Sequence, residues 1–418
     1  YQALIEAESS ANDFVATEDL YRRLIEMRPD SAELYMQLGG CLGRMRDPEG
    51  ARAALEKAVS LDPKLQRARF ALGYILLDLG DGKAAAEQFQ AYLADNPADA
   101  DGLEGLAGAC VRMERYADAL DAVDRILAGD QAEPVHALER MYLLIRAGRA
   151  AEASAASPPN EAPYMGTLLR GLARKTAGEP YRPLFDTIDD AGGMMDIEAR
   201  EYLGEMLSLF YDKQTGAYFV EALEALRAEG VRSKVVDGLL GRTYMVLERY
   251  GDAARVLQEA ADRAGADKWL YYELAGAYEQ AENVAEAEKN LKACLAIDPA
   301  DAEVMNFLGF MYAEQNMKLD EAEGLLKKAL DSDPENGFYL DSLGWVYYRK
   351  GDGAKAVELI RRAIMSMDGD DAVLRDHLGD ALLLDGHKDK AVAEWERARR
   401  LDPKLEGVQD KIDKNKAK

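Results

Sequence analysis

The chain has 418 residues, 48% of them hydrophobic and 31% charged, with a formal net charge of −25. Phosphate contacts need clustered Lys and Arg, so this acidity excludes a nucleic-acid binder, and 35 Gly with 13 Pro are too few for a disordered or collagenous chain. No apolar run is long enough to span a bilayer.

Residues 14–31 read as the second helix of a pair whose first helix is clipped or degenerate. From there a fixed interval governs the sequence. Pro29, Pro63 and Pro97 are 34 residues apart, and Leu38-Gly39 and Leu72-Gly73 keep the same step. Units 32–65 and 66–99 follow it closely. Unit 100–133 is weaker, with Ala107 in place of the glycine and Gln131 in place of the proline. Over residues 134–233 the interval is lost. Helical patterns persist at 135–147, 164–177, 198–211 and 218–230, but Pro158-Pro159, Pro180, Pro183 and Gly192-Gly193 interrupt them. Divergent helix pairs, a hinge and a partner-specific surface all fit this segment. The interval returns at Leu240-Gly241 and runs through Leu274-Ala275, Leu308-Gly309, Leu343-Gly344 and Leu378-Gly379 in steps of 34, 34, 35 and 35. This gives units 234–267, 268–301, 302–336, 337–371 and 372–405. The tail is polar, with Leu405, Val408 and Ile412 at helical spacing, and reads as a capping helix.

Within 268–301, Leu270, Leu274 and Tyr278, then Ala287, Leu291 and Cys294, recur at helical spacing on either side of a break near Asn283. That predicts two amphipathic helices of about a dozen residues joined by a short turn. Asp298-Pro299 stops the second helix. A lone helix pair cannot bury its apolar stripe, so neighbours must stack. The expected organisation is an N-terminal block (1–133), an irregular middle (134–233), a C-terminal block (234–405) and a cap with its tail (406–418).

The pattern L/W-x-x-L-G-x-x-Y…A-x-x-x-F/L-x-x-A…P resembles the tetratricopeptide repeat, over well more than half of the chain. The resemblance implies an all-α solenoid, a right-handed superhelix with first helices lining a concave groove and second helices on the convex side. Carried over residue by residue, the groove-facing positions are Trp269, Tyr272, Phe310, Phe338, Asp341, Trp345, Tyr348 and Arg349. The core stripe is already filled by Leu274, Tyr278, Leu308, Tyr312, Leu343 and Tyr347. An exposed aromatic row with one arginine suits an apolar peptide or helix. The same rings would also fit between adjacent first helices, and both readings stand. The N-terminal groove is more polar, with Glu33, Met36, Arg44, Arg67, Phe70 and Tyr74. Members of the family that clamp a free carboxylate use Lys and Asn, whereas this chain has Met36, Gly40, Phe70 and Tyr74, which argues against a chaperone-tail clamp.

No enzyme is legible. Cys41, Cys110 and Cys294 are isolated and fall on apolar faces, as buried small hydrophobes do. His136, His377 and His387 show no metal-ligand spacing, and His377, within a repeat helix, and His387, in a helix-joining turn, occupy ordinary polar positions. Neither Asp189-Asp190 nor 368–371 has the ligand spacing of a calcium loop, and no cofactor is expected. The sequence over 334–403, carried by D-S-L-G-W (341–345) and D-H-L-G-D (376–380), resembles C-terminal repeats of large bacterial tetratricopeptide proteins. Many of those are envelope proteins, often outer-membrane lipoproteins, and some are adaptors for carboxyl-terminal processing proteases. The expectation is a non-catalytic scaffold or adaptor binding a protein or peptide in a bacterial envelope. Any signal peptide or lipid anchor would lie upstream of Tyr1, and both an upstream anchor and self-association are left open. A cytoplasmic assembly module and the regulatory arm of an enzyme are the alternatives.

Overall fold

A computed structural model describes residues 13–160, 163–188, 213–264, 266–367 and 370–416. Among these residues the chain is all-α, without strands. The helices are α1 (Phe14–Met27), α2 (Ala32–Arg44), α3 (Pro48–Leu61), α4 (Gln66–Asp78), α5 (Gly82–Leu93), α6 (Ala100–Arg112), α7 (Tyr116–Leu127), α8 (Pro134–Arg146), α9 (Ala150–Ala155), α10 (Pro163–Ala177), α11 (Arg182–Ile188) and α12 (Lys213–Ala228). They continue with α13 (Lys234–Val246), α14 (Tyr250–Ala264), α15 (Lys268–Gln280), α16 (Val284–Ile297), α17 (Ala302–Glu314), α18 (Leu319–Ser332), α19 (Gly337–Arg349), α20 (Gly353–Ser366), α21 (Ala372–Leu384), α22 (Lys388–Leu401) and α23 (Val408–Asn415).

One turn design recurs. Two residues beyond the first helix of each unit the backbone turns left-handed, at Arg46, Gly80, Glu114, Gly148, Glu248, Glu282, Asn316, Gly351 and Gly386. The next amide donates back across five residues: Asp47 to the Leu42 carbonyl (3.0 Å), Asp81 to Leu76 (2.8 Å) and Asp352 to Tyr347 (2.9 Å). These bonds satisfy the carbonyls that a helix end leaves open. The same aspartates then cap the second helix, accepting from the amides of Gly50 (2.9 Å), Ala84 (3.0 Å) and Lys355 (3.2 Å). Three residues thus end one helix and begin the next.

The left-handed residue keeps its 34-residue step through Gly148, so α8 continues the register of the units before it. Its partner α9 has only 6 residues, too few to display the apolar period of a second helix. The expected helix at 198–211 lies outside the described residues, as does Asp189-Asp190. The two 35-residue units take their extra residue in different places. Between α17 and α18 the turn gains one, with both Asn316 and Lys318 left-handed, whereas after α20 it is the loop to the next unit that grows.

The Leu-Gly pair is where paired helices touch. An added Cβ would lie 2.5 Å from Leu55 at Gly39, 2.7 Å from Phe89 at Gly73, 2.6 Å from Leu257 at Gly241, 2.7 Å from Leu326 at Gly309 and 2.7 Å from Ile360 at Gly344. Only a missing side chain lets the second helix place its large residue so close to the first. Contacts divide the chain into two compact units: residues 1–68 with 295–418, and residues 69–294. The repeat period sorts the chain by regularity, compactness by neighbours, and the first unit unites both chain ends. There α23 buries Val408 and Ile412 against Leu378, Leu382 and Trp395, closing the last repeat.

Candidate interaction groove

In the first unit the first helices α17, α19 and α21 are capped by Asp301, Asn336 and Asp371, whose side chains accept from the amides of Val304 (3.0 Å), Phe338 (3.1 Å) and Leu374 (3.0 Å). Equal capping sets equal register, so residues one repeat apart face the same way. Phe338 and Val373 are both the second residue of their helices, and both are exposed, at 65% and 44%.

Trp345, by contrast, is buried. Its indole is stacked between Tyr348 (centroids 4.5 Å apart, 19° between planes) and His377 of α21 (4.2 Å, 19°), and its Nε1 donates to Glu314. Offset ring stacking and apolar burial favour this arrangement over an exposed indole. Asp341 is also buried, and accepts from His377 Nδ1 at 2.9 Å. Burial opposes the imidazolium, but the carboxylates of Asp341, Asp376 and Glu314 outweigh it and raise the His377 pKa above its ordinary value. Arg349 is committed as well. Its Nε donates to the Ala313 carbonyl at 2.8 Å and its Nη2 to that of Glu314, at the negative end of the α17 dipole.

These placements bear on the two readings of the row, an exposed row or rings packed between first helices. Of its eight residues Phe338 alone is exposed; Asp341 and Trp345 are buried; Phe310, Tyr348 and Arg349 are half-buried. In the second unit Trp269 and Tyr272 of α15 are likewise half-buried. The Trp269 ring lies where a Cβ on Gly238 of α13 would be, 2.1 Å from its Cη2. Trp269, Trp345 and Tyr348 serve repeat-to-repeat packing. Arg349 in the groove is occupied by helix-end carbonyls and does not wait for an acidic ligand.

At the N-terminal end of the first unit Met36 is buried, Arg67 pairs with Glu33 at 3.0 Å, and Arg44 lies over the Phe14 ring at 5.5 Å. In the second unit Phe70 and Tyr74 meet edge to face at 5.1 Å, and the Tyr74 hydroxyl donates to the Asp101 carbonyl at 2.8 Å.

Sequence reasoning missed the roles of His377, Glu314 and Lys411. Lys411 of α23 stands 35 residues beyond Asp376, the spacing that also separates Asp376 from Asp341. It pairs with Asp376 and Asp380, both at 2.8 Å. That shared register was the available signal. Cys41, Cys110 and Cys294 are buried free thiols. Burial raises Cys41 to about 12 and Cys110 to about 11, so neither is a thiolate at neutral pH. His136 is no surface residue either. Its Nε2 meets Glu104 at 2.7 Å while its Nδ1 accepts from the Glu133 amide at 2.8 Å. Among the described residues no group of three His, Cys, Asp or Glu is placed to hold a metal, and no helix is long and apolar enough to cross a membrane.

Stacked helix pairs with this turn and this glycine contact define a repeat array. A tetratricopeptide-repeat family model matches residues 3–65, 42–99, 70–134, 239–302 and 308–372, more than half of the sequence, so the chain belongs to the tetratricopeptide-repeat family. A curated relative is the peroxisomal targeting signal receptor of Candida albicans, 37% identical over 75 residues, which is 18% of this chain and 13% of that receptor. Similar solved structures include a thermophilic TPR protein of Thermus thermophilus (22% identity, TM-score 0.39, covering 44% of this chain and 98% of that one). Another is the APC/C hetero-tetramer Cut9-Hcn1 (12% identity, TM-score 0.43, covering 98% and 88%).

Proposed function

We propose that this chain is a non-catalytic scaffold that holds a segment of a partner protein against the first-helix face of its C-terminal repeats. The reading rests on one observation, the paired exposure of Phe338 and Val373 at equivalent positions of consecutive first helices. Two large apolar side chains in one register offer apolar anchoring area. Glu314 is exposed on the same helix set and carries negative charge, so a segment with apolar anchors and a basic residue fits better than an acidic tail.

The proposed setting is a bacterial envelope, with the protein as an adaptor in a protease assembly and a lipid anchor upstream. Support for this setting is the resemblance of residues 334–403 to repeats of such proteins. Fractionation of cells expressing the full-length protein tests it: recovery in the cytosol would support the assembly-module alternative. The groove is tested by Phe338→Asp with Val373→Asp, both on exposed positions, followed by affinity capture from the native organism. With helicity unchanged, loss of specific partners supports the groove, and an identical partner set rejects it.

A further inference from the structure

Both chain ends meet in the first unit, through arginines of the last repeat. Arg400 of α22 donates from Nη2 to Glu18 Oε2 (2.7 Å), Asp19 Oδ1 (2.9 Å) and the Val15 carbonyl (3.2 Å). Arg397 Nη2 lies 2.6 Å from Asp13 and 2.5 Å from Asp370, and Arg46 lies 3.4 Å from Asp402. Arg397 is held from behind: its partner Asp370, almost fully buried, also binds Arg375 at 2.5 Å. Helix α1 meets α22 in far fewer places than it meets α2. A cavity of about 300 Å³ opens between the two ends, lined by Glu18, Leu42, Met45, Asp47, Arg400 and Pro403 among others.

The other seam of α1 is different in kind. Leu20, Tyr21 and Leu24 are buried, and α1 packs against α2. Of Arg400's ion pairs, that with Asp19 is the more exposed and the one salt screens more, whereas Glu18 is buried and its pair is screened less; apolar burial is not weakened by salt. The two seams of α1 must therefore respond differently to ionic strength.

We propose that Arg397 and Arg400 with Asp13, Glu18 and Asp19 form an ionic latch. At low ionic strength it holds the α1–α2 pair on α22, and at high ionic strength it releases that pair with every helix still folded. Release uncovers a basic patch on an otherwise acidic protein, a place where an acidic partner would compete with the N-terminal helix.

The test is a distance measurement in the full chain, with donor and acceptor dyes at Glu26→Cys and Glu406→Cys, both exposed positions. The buried native thiols stay unlabelled. Wild type is expected to give one short-distance population in about 20 mM NaCl and a growing long-distance population by about 500 mM NaCl, where the screening length has shrunk several-fold. Arg397→Glu with Arg400→Glu should show the long population already at the low salt, and adding Asp13→Lys, Glu18→Lys and Asp19→Lys should restore the short one. An unchanged short distance in wild type at the high salt, with unchanged helicity, overturns the latch. So does a charge reversal that opens the ends and is not rescued by its complement. The wild-type salt series stands even where a variant fails to fold.

Discussion

At the scale of single residues, the Leu-Gly position and the His377 contact carry most of the information. A Cβ on Gly379 would sit 2.4 Å from Trp395 Nε1, and that indole is fixed by a 3.1 Å hydrogen bond to Asp380. Gly379→Ala is expected to lower stability by about 1–3 kcal/mol, as overpacking of a core does, read as a lower urea midpoint at constant m-value. His377 makes stability depend on pH. Its folded pKa is raised above the usual 6.5, so the folded state binds the proton more tightly than the unfolded chain. The resulting stabilisation is full below about pH 6.5 and is lost as pH rises through the raised value. Urea midpoints of wild type minus Asp341→Asn should fall over that window, and a pH-independent difference would reject an imidazolium–carboxylate pair. The sequence shows these residue types and their spacing. It does not show that a histidine on one first helix turns back onto a tryptophan of the helix before it, because that depends on the angle between repeats.

Helix pairs are the scale at which the sequence is most transparent. Periodic apolar residues and the Asp-Pro stop locate the helices of 268–301 as α15 and α16, broken near Asn283 as expected. Propensity and capping act over a few residues, so the local sequence suffices. The unit 134–155 escaped notice because α9 is too short to show a period. Its left-handed glycine keeps the register all the same. The capping helix is legible from Val408 and Ile412, but its electrostatic tie is not. Burial opposes the charge on Lys411, and hydrogen bonds to Asp376 and Asp380 restore it, leaving its pKa raised. Lys411→Met should cost about 1–2 kcal/mol, since the ammonium is partly exposed and its two carboxylates lose their shared partner. Amide exchange should quicken in α23 and α21 first; uniform loss of protection would mean that the cap is not a separate unit of stability.

For the whole molecule, an array gains stability from each unit and from its contacts with neighbours, so damage stays local. The second unit holds a buried Asp237 clasped by Arg227 (2.7 Å) and Arg263 (2.5 Å). Asp237→Ala strips both arginines and is expected to cost about 3–5 kcal/mol there. Urea unfolding should become biphasic, with α12–α14 exchanging early while α17–α23 stay protected; one cooperative transition would show that the two units fold as one. The sequence by itself determined the class of the protein, the helix boundaries of the regular units and the cap, because a fixed period and capping chemistry are local properties repeated many times. Only the tertiary structure decided which groove-position aromatics are exposed and which are packed, that Arg349 serves a helix end, and that the two chain ends share one unit. Those outcomes depend on how each helix pair is rotated against the next, and a rotation summed over many repeats is written in no short stretch of sequence.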